Sequence, residues 1–283
     1  MSQYAFYLAK KEKSPCCVAM YNSRRNDHNG FELGNLFGIH CDRGFRHYFF
    51  QKLYNFLTNW RLKKYQKQLS WFGIRIIFEA QNYDFNPQLL DPSPFLSFNY
   101  FWGGWHSEKY FISIKNKVKN TFLFPPIQDD ECLRVIRMIT NSENSVSLHV
   151  RRGDYLNTPA DCFYQFEGVA TLNYYKEAVN KICTLAENCK FFVFSDDIDW
   201  CQTNLHLSNA YYVVCNTGKN SWRDMYLMTL CKHHINANST FSWWGAWLSQ
   251  KKGYTICPKS FIRTIETKDI YPQDWIKIPS SEL

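Results

Sequence analysis

The segment that most constrains this chain is residues 146–155, in which a short apolar run ends in a pair of arginines. Apolar and polar residues alternate over residues 146–150, which is the pattern of a short buried strand. Arg151 and Arg152 follow directly, with Gly153 beside them. Ligands of open α/β sheets bind at the carboxyl edge of the strands, and paired guanidinium groups beside a glycine suit a diphosphate. The segment therefore predicts an anion site at a sheet edge; a strand exit with a surface ion pair is the alternative.

Length and charge narrow the class of partner. A chain of 283 residues is long enough for two domains, and its 33 basic and 25 acidic residues give a net charge of +8. This excess favours an anionic partner, namely a sugar nucleotide, a nucleic acid or a membrane surface. Because no nucleic-acid-binding module is recognisable, we expect no nucleic-acid partner.

Cysteine usage and hydropathy bear on the compartment. The eleven cysteines form no C-x-x-C pair and show no zinc-site spacing, which is typical of reduced thiols in a cytoplasmic protein. The first residues lack the basic and apolar regions of a secretory signal, and no stretch approaches about 18 consecutive apolar residues. We therefore expect a cytoplasmic protein that does not span a membrane.

A linker and a basic stretch divide the chain further. Two prolines at 125–126 precede an acidic helix start, which predicts an N-terminal domain over residues 1–140 and a C-terminal domain over residues 141–262. The tail, residues 263–283, is expected to fold back on the N-terminal domain. Residues 46–70 form an amphipathic pattern, interpreted either as a solvated helix face or as a surface for peripheral contact with anionic lipid. Its clustered basic residues are Arg61, Lys63, Lys64 and Lys67.

An aromatic segment, residues 98–111, breaks at Gly103 and Gly104. The residues after the break are Trp105, His106, Ser107 and Glu108. An indole beside hydrogen-bonding side chains can recognise the hydroxyl pattern of a sugar, so these four residues are candidates for an acceptor site. A plain aromatic core with a glycine bulge is the alternative.

A second apolar run, residues 191–194, ends in Ser195, Asp196 and Asp197. A carboxylate at the carboxyl end of a parallel strand is well placed for ribose hydroxyls or for the N–H groups of guanine. The alternatives are a helix cap, or a divalent-metal site made by Asp197 and Asp199. The paired arginines argue against a need for the metal, because they supply the positive charge that a departing diphosphate requires.

A third stretch places polar residues ahead of an apolar helix. Asn238, Ser239 and Thr240 are residue types that favour a helix N-terminus, where N–H groups and hydroxyls converge on an anion. Ser242 lies in the first turn of the same helix. This stretch predicts a second phosphate contact.

Three blocks of this sequence together resemble the bacterial α-1,2-fucosyltransferases of glycosyltransferase family eleven. The blocks are HVRRGDY from His149, FVFSDD from Phe192 and NSTFSWWGAWLS from Asn238, and GGWHSEKYF from Gly103 is similar to the acceptor-side segment of the family. The resemblance implies an α/β protein of the GT-B type, with two Rossmann-like domains facing a cleft. It also implies inverting transfer from GDP-fucose to the 2-hydroxyl of a terminal galactose in a glycan acceptor, without a cofactor or an obligatory metal. The compartment would be the bacterial cytoplasm. Peripheral contact at the inner face of the membrane follows only from the lipid-contact interpretation of residues 46–70.

The resemblance also implies roles for single residues. Arg151 would hold the β-phosphate with support from His149, and Asp154 would orient the arginines. The residues that would bind the donor are Arg152, Ser195, Asp196, Asn238, Ser239, Thr240 and Ser242. For the catalytic base, Glu108, His106 and Asp154 remain alternatives.

The start of the chain departs from the family pattern. The family has a strand and a Gly-Gly-x-Gly-Asn-Gln-Met loop before a helix that starts Gln-Tyr-Ala-Phe. In this sequence the Gln-Tyr-Ala-Phe motif already begins at Gln3, so the strand and the glycine-rich loop do not precede it. We therefore expect an N-terminal domain without its first strand. The rival functions are a metal-dependent glycosyltransferase and a truncated, inactive protein that binds glycans or nucleotides.

Overall fold

The computed structural model describes residues 1–20, 31–41, 44–58, 66–94, 97–157, 159, 162 and 164–279. The fold is mixed α/β, and the pairings between its described strands are all parallel. The chain divides into two compact units. The first contains Met1–Pro125 with Lys268–Ile270, and the second contains Pro126–Thr267 with Tyr271–Leu283.

The first unit has a two-stranded parallel sheet in which β1 pairs with β2 from Ile74 opposite Phe98 to Phe78 opposite Trp102. Its elements in chain order are α1 Ser2–Lys13, α2 Glu32–Phe37, α3 Phe45–Thr58, α4 Gln66–Trp71, β1 Ile74–Phe78, β2 Phe98–Trp102 and α5 Lys115–Thr121. Short 3-10 turns lie at Pro87–Leu90, Glu108–Tyr110 and Ile112–Ile114.

The second unit is built on a six-stranded parallel sheet with the strand order β5-β4-β3-β6-β7-β8. Its elements are α6 Asp130–Thr140, β3 Asn144–Val150, α7 Gly153–Leu156, α8 Leu172–Leu185, β4 Cys189–Ser195, α9 Ile198–Asn204, β5 Ala210–Tyr212, α10 Trp222–Leu230, β6 His233–Ile235, α11 Thr240–Leu248, β7 Thr255–Pro258 and β8 Ile276–Ile278, with a 3-10 turn at Gly218–Asn220. Every residue of β3 is buried, as expected for a central parallel strand that is covered on both faces.

Apolar side chains cover both faces of this sheet. Successive residues of a strand point to opposite faces, and β4 accordingly contributes Phe191 and Val193 to one core cluster and Phe192 and Phe194 to the other. The first cluster includes residues of α8, and the second includes residues of α6 and α10. The sheet is therefore a middle layer, and its strand ends are where polar side chains can gather.

The units differ from the predicted domains in two places. Helix α6 belongs to the second unit because Val135 and Ile139 pack in the same cluster as Phe192. In the tail, Lys268–Ile270 groups with the first unit, but Ile276–Ile278 pairs in parallel with β7 as the last strand of the second unit's sheet. The expectation that the whole tail folds back on the N-terminal domain is therefore wrong for β8.

The two interpretations of residues 46–70, a solvated helix face and a surface for lipid contact, fall partly outside the described residues. The basic residues Arg61, Lys63 and Lys64 lie there, and so does the side chain of Lys67. Within the ranges given above, no helix has the length and apolar character needed to cross a membrane.

Candidate active site

The turn after β3 is held in place by one carboxylate from the end of β4. Asp196 accepts hydrogen bonds from the backbone N–H groups of Arg152, at 2.9 Å, and Gly153, at 3.1 Å. It also pairs with Nη1 of Arg151 at 3.1 Å. A Cβ atom at position 153 would lie 2.8 Å from Oδ2 of Asp196, so any larger residue here would need the carboxylate or the turn to shift. Asp196, predicted to bind the donor, is thus used to fix the arginine turn.

Arg151 is held by two carboxylates. Its Nε donates to Oδ1 of Asp154 at 2.7 Å, in addition to the pair with Asp196. Burial works against the charge of the guanidinium, but the two carboxylates outweigh it, and the pKa of Arg151 is raised. The side chain keeps about a quarter of its surface accessible, at 27%. Arg151 therefore presents a permanent, oriented positive charge.

Arg152 points to different partners. Its Nε donates to Oδ2 of Asp197 at 3.0 Å, and its guanidinium lies 4.1 Å from the ring centroid of Trp200. Asp197 also caps α9 by accepting from the N–H of Trp200, and its own N–H donates to Oγ of Ser195. Ser195 and Asp197 thus form a helix cap, which was one of the alternatives that the sequence left open.

The start of α11 contributes accessible and buried groups. Ser239 caps the helix by accepting from the N–H of Phe241, and Thr240 is exposed. Asn238 is buried and donates its amide to the backbone carbonyls of Phe166 and Phe261. Ser242, predicted as a phosphate contact, is also buried and donates back to backbone carbonyls, so Thr240 is the accessible hydroxyl of this group.

The arginine turn and the start of α11 lie side by side. Strands β3 and β6 are neighbours in the sheet and run in parallel, so both segments leave from the same edge. The hydroxyl of Tyr155 donates to the backbone carbonyl of Asn238 at 2.9 Å, and the rings of His149 and Phe241 are 5.6 Å apart. The structure therefore brings together the two segments that the sequence predicted to share one anion site.

His149 lies beneath this edge as a neutral imidazole. Its side chain is buried, and burial, with the charge of Arg151, lowers its pKa to about 3. Its Nδ1 has no hydrogen-bond partner within the part of the chain that the structure describes. His149 can donate or accept a hydrogen bond at neutral pH, but it does not carry a charge there.

The acceptor-side segment is organised by a residue that the sequence analysis missed. The carboxylate of Glu79 accepts from the N–H groups of Gly104, Trp105 and His106 at 2.7, 2.9 and 3.0 Å. Burial raises the pKa of Glu79 even though these three hydrogen bonds act in the opposite direction. The sequence did contain one indication of this role. Glu79 is an acidic residue directly after the apolar strand β1, where it can accept hydrogen bonds from backbone N–H groups at the end of the sheet.

The four predicted acceptor residues divide into two pairs. Trp105 is buried, with its ring 4.3 Å from that of Phe6, and Ser107 is fully buried as the cap of the 3-10 turn that follows. These two residues belong to the core, which corrects the expectation that they face a sugar. His106 and Glu108 are half-buried. Within His106 the imidazole Nδ1 is buried, and burial lowers the pKa of this residue to about 4.

The alternative metal site at Asp197 and Asp199 has little free ligand capacity. Oδ1 of Asp197 accepts from the Trp200 N–H and Oδ2 from Arg152. Over the described ranges there is no group of three or more His, Cys, Asp or Glu side chains arranged to hold a metal ion. Arg151 and Arg152 are the cationic side chains that the structure places beside these carboxylates.

The fold and this edge define an α/β protein with two charged guanidinium groups beside a capped helix start. Residues 78–279 match the sequence profile described as Glycosyl transferase family 11, and this match covers more than half of the chain. The chain belongs to this family.

Three curated relatives extend the comparison. An alpha-1,2-colitosyltransferase of Escherichia coli is 37% identical over 183 residues, which are 63% of this chain and 62% of the relative. The O-antigen biosynthesis glycosyltransferase WbnK of Escherichia coli is 35% identical over 50% of this chain and 47% of its own length. A galactoside alpha-(1,2)-fucosyltransferase 1 of Ateles belzebuth is 26% identical over 65% of this chain and 53% of its own. The chain thus spans about half to three fifths of the length of these relatives.

Proposed function

We propose that this chain transfers L-fucose from GDP-fucose to the 2-hydroxyl of a terminal galactose in a glycan, with inversion at the anomeric carbon. The proposal is carried by the two charged arginines at the edge of β3, beside the start of α11, in a family 11 chain. A departing diphosphate needs positive charge that is already in position when the bond breaks. Asp154 and Asp196 hold Arg151 in such a position.

In the proposed reaction, the bond between C1 of fucose and the β-phosphate oxygen breaks, and GDP leaves with the electron pair. The 2-hydroxyl oxygen of galactose bonds to C1 from the opposite face and passes its proton to a general base, for which Glu108, His106 and Asp154 are the candidates. Arg151 stabilises the charge that develops on the β-phosphate, while the exposed hydroxyl of Thr240 and the N–H groups at the start of α11 contact the diphosphate. The lowered pKa of His149 keeps its imidazole uncharged, so in this proposal it supports the site as a neutral hydrogen-bonding group.

Colitosyl transfer is a second candidate. The colitosyltransferase shares 37% identity with this chain, whereas the fucosyltransferase shares 26%. Colitose lacks the 3-hydroxyl of fucose, so the two GDP-sugars differ at a position remote from the diphosphate. The arginine turn therefore suits both donors, and discrimination between them depends on residues that contact the sugar.

A donor panel tests these proposals directly. We expect GDP release from GDP-fucose with lactose or N-acetyllactosamine as the acceptor, and a product with an α-1,2 linkage to galactose. A clear preference for GDP-colitose would replace the first candidate with the second. Release from GDP-mannose alone, or binding without GDP release, would contradict both.

The same panel with EDTA tests the rival metal-dependent mechanism. We expect full turnover after chelation, because Arg151 and Arg152 supply the positive charge at the diphosphate. Loss of turnover that added magnesium or manganese restores would support the alternative site at Asp197 and Asp199.

A further inference from the structure

The net positive charge of this protein comes from one segment. Residues 43–78 contain no Asp or Glu and eight basic residues. Taking these 8 from the chain's 33 leaves 25, which equals its 25 acidic residues. The segment therefore carries the entire net charge of +8, and the remainder of the chain is balanced. The eight residues are Arg43, Arg46, Lys52, Arg61, Lys63, Lys64, Lys67 and Arg75.

Helix α3, which lies in this segment, is apolar on two opposite faces. Its inner face packs on β2, where the ring of Tyr54 lies 4.9 Å from that of Tyr100 and Phe50 lies 6.1 Å from Phe98. Its outer face carries aromatic side chains at helical spacing: Phe45, Tyr48, Phe49 and Phe56 are all exposed, and Phe45 has 81% of its surface accessible. The outer face of a surface helix is usually polar, so this aromatic face is unexpected for a helix that meets only water.

The same segment exposes two further large side chains. Trp71, at the end of α4, and Phe72 beside it have 83% and 76% of their surface accessible. Between the aromatic residues of the outer face lies Lys52, with its Nζ 5.3 Å from the ring centroid of Tyr48. Aromatic rings interspersed with basic groups, and without acidic groups, are the combination that binds the interface of an anionic bilayer.

We propose that α3 and the Trp71–Phe72 pair dock this protein on a membrane surface that contains anionic phospholipid. The aromatic side chains enter the headgroup region, and Lys52, which lies among them, binds lipid phosphate. The net charge of the segment adds attraction to an anionic surface. A second copy of the chain fits this surface poorly, because dimerisation would bring together two segments with eight positive charges each and no acidic partner. The docking does not depend on which sugar the enzyme transfers.

Vesicle co-sedimentation tests the proposal with the full chain. We expect binding to vesicles of mixed phosphatidylcholine and phosphatidylglycerol and little binding to phosphatidylcholine alone. Raising sodium chloride from about 0.1 M to about 1 M shortens the Debye length from about 10 Å to about 3 Å and should release most of the protein. Equal binding to both vesicle types, or no binding to either, would overturn the proposal.

Variants separate this surface from the rest of the molecule. Replacing Phe45, Phe49 and Trp71 together with serine should lower the vesicle partition coefficient about tenfold or more, and so should Lys52→Glu alone. Leu123→Ser is the matched control, because Leu123 is 61% exposed but lies outside the basic segment. If Leu123→Ser lowered the vesicle partition coefficient as much as the surface variants do, the proposal would be contradicted.

Two measurements keep the result interpretable. The thermal unfolding midpoint by circular dichroism shows whether each variant is folded, and Lys52→Glu retains the test if the triple variant is not. Light scattering detects self-association. A dimer in solution that Phe45→Ser converts to a monomer would show that a second copy covers the aromatic face, and would replace the lipid surface as its partner.

Discussion

Arg151 and Arg152 are adjacent in sequence but have different surroundings. Arg151 is held between Asp154 and Asp196, whereas Arg152 stacks over Trp200 and pairs with Asp197. Asp196 contacts both residues, because it pairs with the Arg151 side chain and also accepts from the backbone N–H groups of Arg152 and Gly153. At the scale of single residues, the carboxylates of this edge are therefore committed to positioning, and the arginines are the groups available to an anionic donor.

Removal of the Arg151 guanidinium should slow the reaction. We expect Arg151→Ala to lower kcat by about 10²- to 10³-fold, the cost of losing one preorganised group that stabilises charge in the transition state. Arg134→Ala is the matched control, since this arginine lies on the exposed surface of α6 and pairs with Glu131. Steady-state kinetics with GDP-fucose measure the effect. If Arg151→Ala kept more than about a third of wild-type turnover, Arg151 would not be the principal stabilising group.

A buried histidine gives the protein a defined response to acid. Burial, with His233 nearby, lowers the pKa of His234 to about 3, and its Nδ1 lies 2.8 Å from Oγ of Ser147. Between about pH 6.5 and about pH 3 the unfolded chain binds a proton at this position and the folded chain does not. The free energy of unfolding should therefore fall with falling pH in that window, by about 1.4 kcal/mol per pH unit for this one group.

Replacing that histidine isolates its contribution. The difference in the free energy of unfolding between wild type and His234→Gln should change across this pH window, because glutamine has no proton to gain. Urea unfolding followed by circular dichroism at a series of pH values gives this difference. A difference that is constant with pH would show that His234 titrates alike in the folded and unfolded chain.

At the scale of elements, three strand or helix ends create the candidate site: those of β3, β4 and α11. The sequence predicted these three because each depends on local signals, namely an apolar run followed by polar residues, or capping residues ahead of a helix. It did not predict that α6 packs with the second unit, because the contacts of Val135 and Ile139 with Phe192 are tertiary. Strand β8 was missed for a related reason, since a three-residue strand takes its structure from its partner β7.

The loop after β2 provides a prediction for Glu79. Glu79→Gln places an amide group against three backbone N–H groups, so the loop that carries His106 and Glu108 should lose its fixed conformation. We expect the KM for the glycan acceptor to rise about tenfold or more, with little change in the KM for the GDP-sugar. Glu131→Gln, at an exposed position of α6, is the control. Equal changes in both KM values would indicate a general loss of structure instead.

At the scale of the whole molecule, the eleven cysteines are all free thiols. Burial raises the pKa of Cys189 and Cys201 to about 11, and it raises the pKa values of Cys231 and Cys257 further. Because the thiolate is the reactive form, these thiols should be unreactive in the native state. The fold therefore divides the cysteines into accessible and protected groups.

Thiol labelling measures this division. We expect Ellman's reagent to modify the exposed Cys16, Cys162 and Cys183 rapidly in the native protein. The buried cysteines should react only after unfolding in urea; they are Cys132, Cys189, Cys201, Cys231 and Cys257. Mass spectrometry of the labelled peptides identifies which thiols react. Rapid native labelling of the buried set would mean that the second unit opens far more often than its packed core suggests.

The contact between Gly153 and Asp196 has a consequence for substitution at position 153. Any other amino acid there would place a Cβ atom 2.8 Å from the carboxylate that anchors the arginine turn. Even alanine therefore requires the carboxylate or the turn to shift. The absence of a side chain at position 153 is thus itself part of how the arginine turn is held.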